Sequence, residues 1–205
     1  THAEHAKIVN EQFTIENMRY VVDVMCACII KNEVPFCELD AHAGDGDFGM
    51  SVAKGFKQLK RQWPELLQAQ QMDVFLLNCS MIIMEYCGGA SGPIWGSAFR
   101  AASKAVKGKT TLSVADFAQL LQVAVQGIQI TGERSFGRGA VVGDKTLIDA
   151  LVPCADSWSN NTNKSFKENF VLGAKAAVQG AESTKEIVAR MGRAGTVGDR
   201  SLGYP

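Results

Sequence analysis

The sequence predicts an all-α protein, an antiparallel up-and-down helical bundle or barrel with about seven visible helices. Apolar residues recur at three- and four-residue steps in one segment after another, and no period-2 run of convincing length is present. Glycine-rich loops and short polar turns separate the segments. At 205 residues the chain fits a single domain, 1–205, and is long enough for a real core.

Thr14 is a good N-cap for a helix to about Lys31, on which Ile15, Met18, Val22, Met25 and Ile29 form one stripe. Asn32 and Pro35 are expected to end it, with an acidic bend following. A second helix is expected from about Gly49 to Trp63, with Ala53, Phe56, Leu59 and Trp63 inward, and Pro64 stopping it. The third, about Met72 to Tyr86, is apolar all round and therefore central. Gly88-Gly-Ala-Ser-Gly-Pro93 is a sharp break, and Pro93 suits the first turn of a helix to about Val106. Ser113 with Asp116 resembles a capping box and opens a helix to about Thr131. A long glycine-rich loop, 132–143, follows, and Asp144 caps a helix to about Trp158. After a polar turn, the last clear helix runs from about Phe166 to Met191, and 192–203 is irregular. Alternate loops of such a bundle share one end.

Lys plus Arg equals Asp plus Glu at 21 each, which argues against a general binder of nucleic acid or anionic membrane. The longest apolar runs are too short to span a bilayer. Thr1-His-Ala-Glu-His5 lacks the basic start and apolar core of a secretion signal. The six cysteines sit mostly among apolar residues and form no CxxC pair, so reduced thiols in a cytoplasmic protein are expected.

The stretch Asp40-Ala-His-Ala-Gly-Asp45-Gly-Asp47-Phe-Gly-Met-Ser51 is the chief candidate for chemistry. Three carboxylates within eight residues repel one another unless a cation joins them or one takes up a proton. Hard cations such as Mg²⁺ accept carboxylate oxygens, and Mg²⁺ completes its shell with water and phosphate. Asp40, Asp45 and Asp47 could therefore serve two ions beside a nucleotide. The plainer alternative is an Asp-Gly turn in which Asp47 caps the next helix. Gly44, Gly46 and Gly49 spell GxGxxG, and with Ser51 almost a P-loop, but both motifs need a preceding strand. An EF-hand starting at Asp45 fails, because Phe56 occupies its twelfth position.

Gly88 to Gly92 is either a tight turn or, with Ser91 and its neighbouring N–H groups at a helix start, an anion site. In Gly143-Asp-Lys-Thr146, Asp144 reads as an N-cap and Lys145 as a solvated charge. Gly192-Arg193-Ala194 reads as a helix end with a cation favourable to its dipole. His42 is expected on an exposed loop, and His2 and His5 in a frayed terminus. Trp63, Trp95 and Trp158 read as core, and Ser91 has no evident triad partners.

Four stretches in order carry a resemblance: Leu39-Asp-Ala-His-Ala-Gly-Asp-Gly-Asp-Phe-Gly49, Gly88-Gly-Ala-Ser-Gly-Pro93, Gly143-Asp-Lys-Thr-Leu-Ile-Asp149, and Glu182-Ser-Thr-Lys185 leading into Gly192-Arg-Ala194 and Gly198-Asp-Arg-Ser201. Together they resemble the nucleotide-binding L subunit, or L domain, of dihydroxyacetone kinases. The resemblance implies a barrel of eight antiparallel helices binding ADP or ATP at one end through two Mg²⁺ ions. The aspartates that would hold the ions match Asp40, Asp45 and Asp47. The nucleotide-contacting positions match Phe48, Gly49, Met50, Ser51, Ala90, Ser91, Leu147 and Arg193, with Gly139 as a further glycine. It also implies a partner, a K subunit holding dihydroxyacetone or a related ketose. ATP is consumed in one variant of the family; in another, a phosphohistidine carrier protein recharges bound ADP. A nucleotide-sensing regulator without catalysis is the alternative. Two features depart from the family pattern. Phe48 stands where the family commonly has His, and the family continues beyond Gly-Tyr-Pro205 into a last helix.

Overall fold

Caps written into the sequence start three of the long helices. The Thr14 side chain accepts from Asn17 N, Ser113 from Asp116 N and Ser165 from Glu168 N, and in each box the third side chain bonds back to the cap backbone. The computed structural model describes residues 3–205, apart from the side chains of residues 134–136 and 193. Its α-helices are α1 Ile15–Lys31, α2 Glu33–Asp40, α3 Phe48–Arg61, α4 Trp63–Leu66, α5 Met72–Tyr86, α6 Ser91–Ala105, α7 Val114–Phe136, α8 Ile148–Asn160 and α9 Phe166–Ser183. Seven of these are long, as the periodicity predicts, and α2 and α4 are short connectors. Short 3-10 turns follow α9 at Thr184–Glu186, Arg193–Thr196 and Gly198–Ser201. The described residues contain no strand, only two isolated bridges, and the fold is all-α.

Each long helix packs on the next, α5 on α6, α6 on α7, α7 on α8 and α8 on α9, while α3 joins α1 to α5. A groove of about 700 Å³ separates α1 from α9, with Tyr20 and Val24 on one side and Phe170 and Val171 on the other. None of the described helices is long and apolar enough to cross a membrane.

One end of the bundle is sealed by aromatic rings. Phe117 lies 5.0 Å from Phe13 and 4.5 Å from Trp158, ring centre to ring centre, and Phe166 joins the same cluster. Phe13 and Leu112 exchange backbone hydrogen bonds at 2.9 and 2.8 Å, stitching the N-terminal segment to the α6–α7 loop. Glu11 Oε2 accepts from Phe166 N at 2.7 Å and so serves the N-terminus of α9. Towards the other end, Val125, Ile128, Ala140, Ile148 and Met191 form a smaller cluster.

Several boundaries differ from expectation. Pro35 does not stop a helix; it sits in the first turn of α2, where its missing N–H has no intrahelical acceptor to lose. Asp40 is therefore the last residue of a helix rather than part of a bend. Pro64 likewise lies in the first turn of α4. Helix α7 runs past Thr131 to Phe136 and ends at Gly137 in a left-handed conformation. Helix α9 stops at Ser183, not Met191, where the backbone tightens into the 3-10 turn Thr184–Glu186, and Ser183 Oγ and Thr184 Oγ donate to the carbonyls of Gly180 and Ala181, both at 2.7 Å. Trp158 is core, but Trp63 and Trp95 are only half-buried. His5 lies in an ordered turn, Ala3–Ala6, held by Asn17 Nδ2 donating to the His5 carbonyl at 2.7 Å. His2 lies outside the described residues. All six cysteines are free thiols, and burial pushes Cys26 up to about 12 and Cys87 up to about 11.

Candidate functional site

Opposite the aromatic end, every second connection of the bundle converges on one cavity of about 350 Å³. Asp40 reaches it from the end of α2, Ala90 from the α5–α6 break, Lys145 to Leu147 from the α7–α8 loop, and Gly192 with Ala194 from the segment after α9. Up-and-down order puts these connections at one end. The sequence stretches singled out for chemistry occupy them.

Asp40, Asp45 and Asp47 each offer a carboxylate oxygen within 4.8 Å of the others. Asp40 sits where the helix dipole of α2 is negative, which adds to the mutual repulsion. The N-terminus of α3 partly offsets this, since Phe48 N donates to Asp40 Oδ2 at 3.2 Å. Asp47 occupies the N-cap position of α3 without a side-chain cap bond, so the plain capping alternative does not describe it. A cluster of hard oxygen donors beside a cavity fits one or more divalent cations. The glycines make the fold of this bend possible. A Cβ on Gly44 would lie 2.2 Å from Asp40 Oδ1, and one on Gly49 would lie 1.9 Å from the Glu33 carbonyl of α2.

The second stretch abuts the first. Gly88 N donates to the Ser51 carbonyl at 3.0 Å, and a Cβ on Gly88 would meet Ser51 Oγ at 3.0 Å. Gly89 takes φ +53, a left-handed turn that glycine accepts without strain. Ser91 is buried and its N–H already donates to the Gly88 carbonyl at 3.2 Å. Ala90, rather than the Ser91 amide, therefore faces the cavity, contrary to the expected use of both N–H groups.

The third stretch spends its polar groups on itself. Asp144 does not cap α8. Arg138 grips it with two bonds, at 2.6 and 2.9 Å, and Val141 N donates to it at 3.0 Å. Hydrogen bonds from Arg138 hold its carboxyl below the usual carboxylate range. Asp149 accepts from Gly143 N at 2.7 Å and from Thr146 N at 2.8 Å. Thr146 Oγ1 accepts from Ile148 N at 3.2 Å and so serves the start of α8. Lys145 is not a solvated charge: its ammonium donates to the carbonyls of Thr184, Ile187 and Ser201. It does so from φ +60, a conformation costing a non-glycine residue on the order of 1 kcal/mol. Leu147 and Ile148 are left as this stretch's apolar face to the cavity.

The remaining expected positions are placed unevenly. Gly49 is buried at the α2–α3 contact, and Met50 is 58% exposed, its N–H donating to Cys37 Sγ at 3.3 Å. Phe48 is 40% exposed and its ring packs on Phe36, 5.9 Å away, rather than lining the cavity. Gly139 does not line it either, although its neighbour Ala140 does. The side chain of Arg193 lies outside the described residues. His42 is exposed, as expected, and stacks on Tyr204 at 3.9 Å and 9°. That stack ties the acidic bend to the last residues. Only the aromaticity of the two side chains could have hinted at it. Thr131 and Met191, also in the wall, carry no signal that sequence reasoning could use.

A family model for the DAK2 domain matches residues 42–205. The chain belongs to that family, the nucleotide-binding L subunits and L domains of dihydroxyacetone kinases. It is 34% identical over 187 residues to the PEP-dependent dihydroxyacetone kinase 2, ADP-binding subunit DhaL, of Listeria innocua, covering 90% of this chain and 84% of the relative. It is 29% identical to the corresponding PEP-dependent kinase subunit of Escherichia coli, covering 87% and 83%. A triokinase/FMN cyclase of Mus musculus is 28% identical over 94% of this chain, which spans 32% of that longer protein.

Proposed function

We propose that the chain is the ADP- or ATP-binding subunit of a kinase for dihydroxyacetone or a related small ketose, with the sugar held by a partner K subunit. The observation that carries this reading is a cluster of three mutually close carboxylates, one of which, Asp40, lines a cavity whose other walls include the remaining three signature stretches. Asp40, Asp45 and Asp47 hold Mg²⁺, two ions in this reading, which when bound neutralise charge on the terminal phosphates. The glycine turns at 44–49 and 88–89 let backbone come close to those phosphates. Ile94, Ile128, Leu147 and Met191 give the cavity apolar walls suited to the face of a base. Phe48 to Ser51, Ser91, Gly139 and Arg193 complete the nucleotide positions in this reading. The chain orients the phosphoryl donor and excludes water; it supplies no general base.

The relatives that this chain covers over more than four-fifths of their length are named PEP-dependent or PTS-dependent. They favour the version in which ADP stays bound and a phosphohistidine carrier recharges it, in the cytoplasm. Native mass spectrometry tests this. Retained mass equal to ADP plus two metal ions is expected. Bare protein whose melting temperature rises with Mg-ATP indicates the ATP-consuming version instead. Neither nucleotide binding, with Asp45→Ala behaving as wild type, sinks the reading altogether. Turnover only when a K-type partner is added separates a kinase subunit from a nucleotide sensor.

A further inference from the structure

Lys145 lines the cavity, yet its ammonium is spent on backbone carbonyls. It donates to the carbonyls of Thr184, at 2.9 Å, Ile187, at 3.2 Å, and Ser201. An ammonium has three donors, and all three are taken. Among the described residues, no carboxylate pairs with it. The segment it grips is itself a folded unit. Ser201 is fully buried, and its Oγ accepts from Ala189 N at 2.8 Å and donates to the Gly198 carbonyl at 2.9 Å. Gly203 N closes onto the Lys185 carbonyl at 2.9 Å. The grip joins positions far apart in the chain, and residue 145 adopts a left-handed backbone that lysine rarely takes. A guanidinium is a planar fork and cannot converge on three carbonyls around one point, whereas an ammonium can.

We propose that Lys145 is a positioning residue: it fastens the segment after α9 to the α7–α8 loop and thereby sets the separation of the cavity walls at Leu147 and at Gly192 with Ala194. The nucleotide does not touch its ammonium, because every donor is already used. Burial pushes its pKa down, in keeping with a cation held by dipoles alone. The inference rests on the nucleotide reading of the cavity for its functional half, and on the hydrogen bonds alone for its structural half.

The test uses the full chain as Lys145→Met and Lys145→Arg, the second retaining charge and stem should the first fold poorly. Hydrogen exchange across 184–203 is expected to quicken in both variants, more in Met, while α1, α3 and α5 exchange as in wild type. Mg-ADP affinity is expected to fall by about ten-fold or more as preorganisation is lost. The rise in melting temperature on adding Mg-ADP should shrink too; a purely structural residue lowers both melting temperatures equally and leaves that rise alone. Unchanged exchange in 184–203 overturns the proposal. So does lost affinity with unchanged exchange, which would make Lys145 a direct ligand contact. Wild-type protein that fails to bind Mg-ADP instead sinks the nucleotide reading, and the exchange result still decides whether Lys145 fastens the segment.

Discussion

The two ends of the bundle are built from the same helices but hold together by opposite means. At one end Phe13, Phe117, Trp158 and Phe166 fill the space with rings, and backbone bonds between Phe13 and Leu112 close it. At the other, glycines let backbones touch, three carboxylates crowd together, and polar side chains tie loops to one another. The first end gains from burying apolar surface. The second accepts like-charge repulsion and a left-handed lysine, costs which a chain tolerates where a ligand repays them. Stability and function should therefore be separable by end.

Trp158→Ala should do the most damage. The side chain is 2% exposed and meets three other rings, so a loss of about 3–5 kcal/mol is expected in chemical denaturation. Nucleotide affinity of the molecules that remain folded should hold. Gly49→Ala tries the comparison from the other side. The new methyl group collides with the Glu33 carbonyl and drives α2 from α3, so about 1–3 kcal/mol should go. Metal-dependent nucleotide binding, read by calorimetry, should fall with it. If stability fell without binding, the two ends would not differ as described.

Asp144→Asn probes a loop tie through pH. Folding lowers the Asp144 pKa, chiefly through the bonds from Arg138, so its stabilisation is present above the unfolded carboxylate value of about 3.9 and is lost as pH falls through the folded value. Urea midpoints of the variant and wild type should differ at about pH 7 and converge as pH falls through the lowered folded value. A gap that persisted in acid would mean that the carboxylate charge is not what ties the loop. Phe48→His is the gentlest change. The residue is 40% exposed and packs on Phe36, so stability should move within about 0.5 kcal/mol. Any change should instead be seen in nucleotide affinity, measured by calorimetry.

The helices of the aromatic end were legible, because apolar periodicity, the N-cap at Thr14 and the capping box at Ser113 are local signals; the ring contacts of Phe13 and Phe117 and the Ser165 box were not. The site end was legible as a set of stretches but not as a set of contacts. Pro35 looked like a stop because proline in a first turn and proline after a helix read alike until the turn is seen. Asp144 looked like an N-cap because its true partner, Arg138, is chosen by the path of the loop. Lys145 looked solvated because the carbonyls it binds lie some 40 to 56 residues further on. Local propensity does not reach that far, whereas the three aspartates lie within eight residues and are seen at once.

Lys145 gripping Ser201 also sets the order in which a growing polypeptide gains its parts. The aromatic end is complete once α9 has emerged, since its last ring contacts come from Phe166 and Phe170. The cavity still lacks a wall until Gly192, Ala194 and Ser201 have left the ribosome and docked. The part of the core that Ala189, Met191 and Ser201 complete is therefore also the last to be made, and a chain broken off after α9 would lack both that packing and the cavity's last wall.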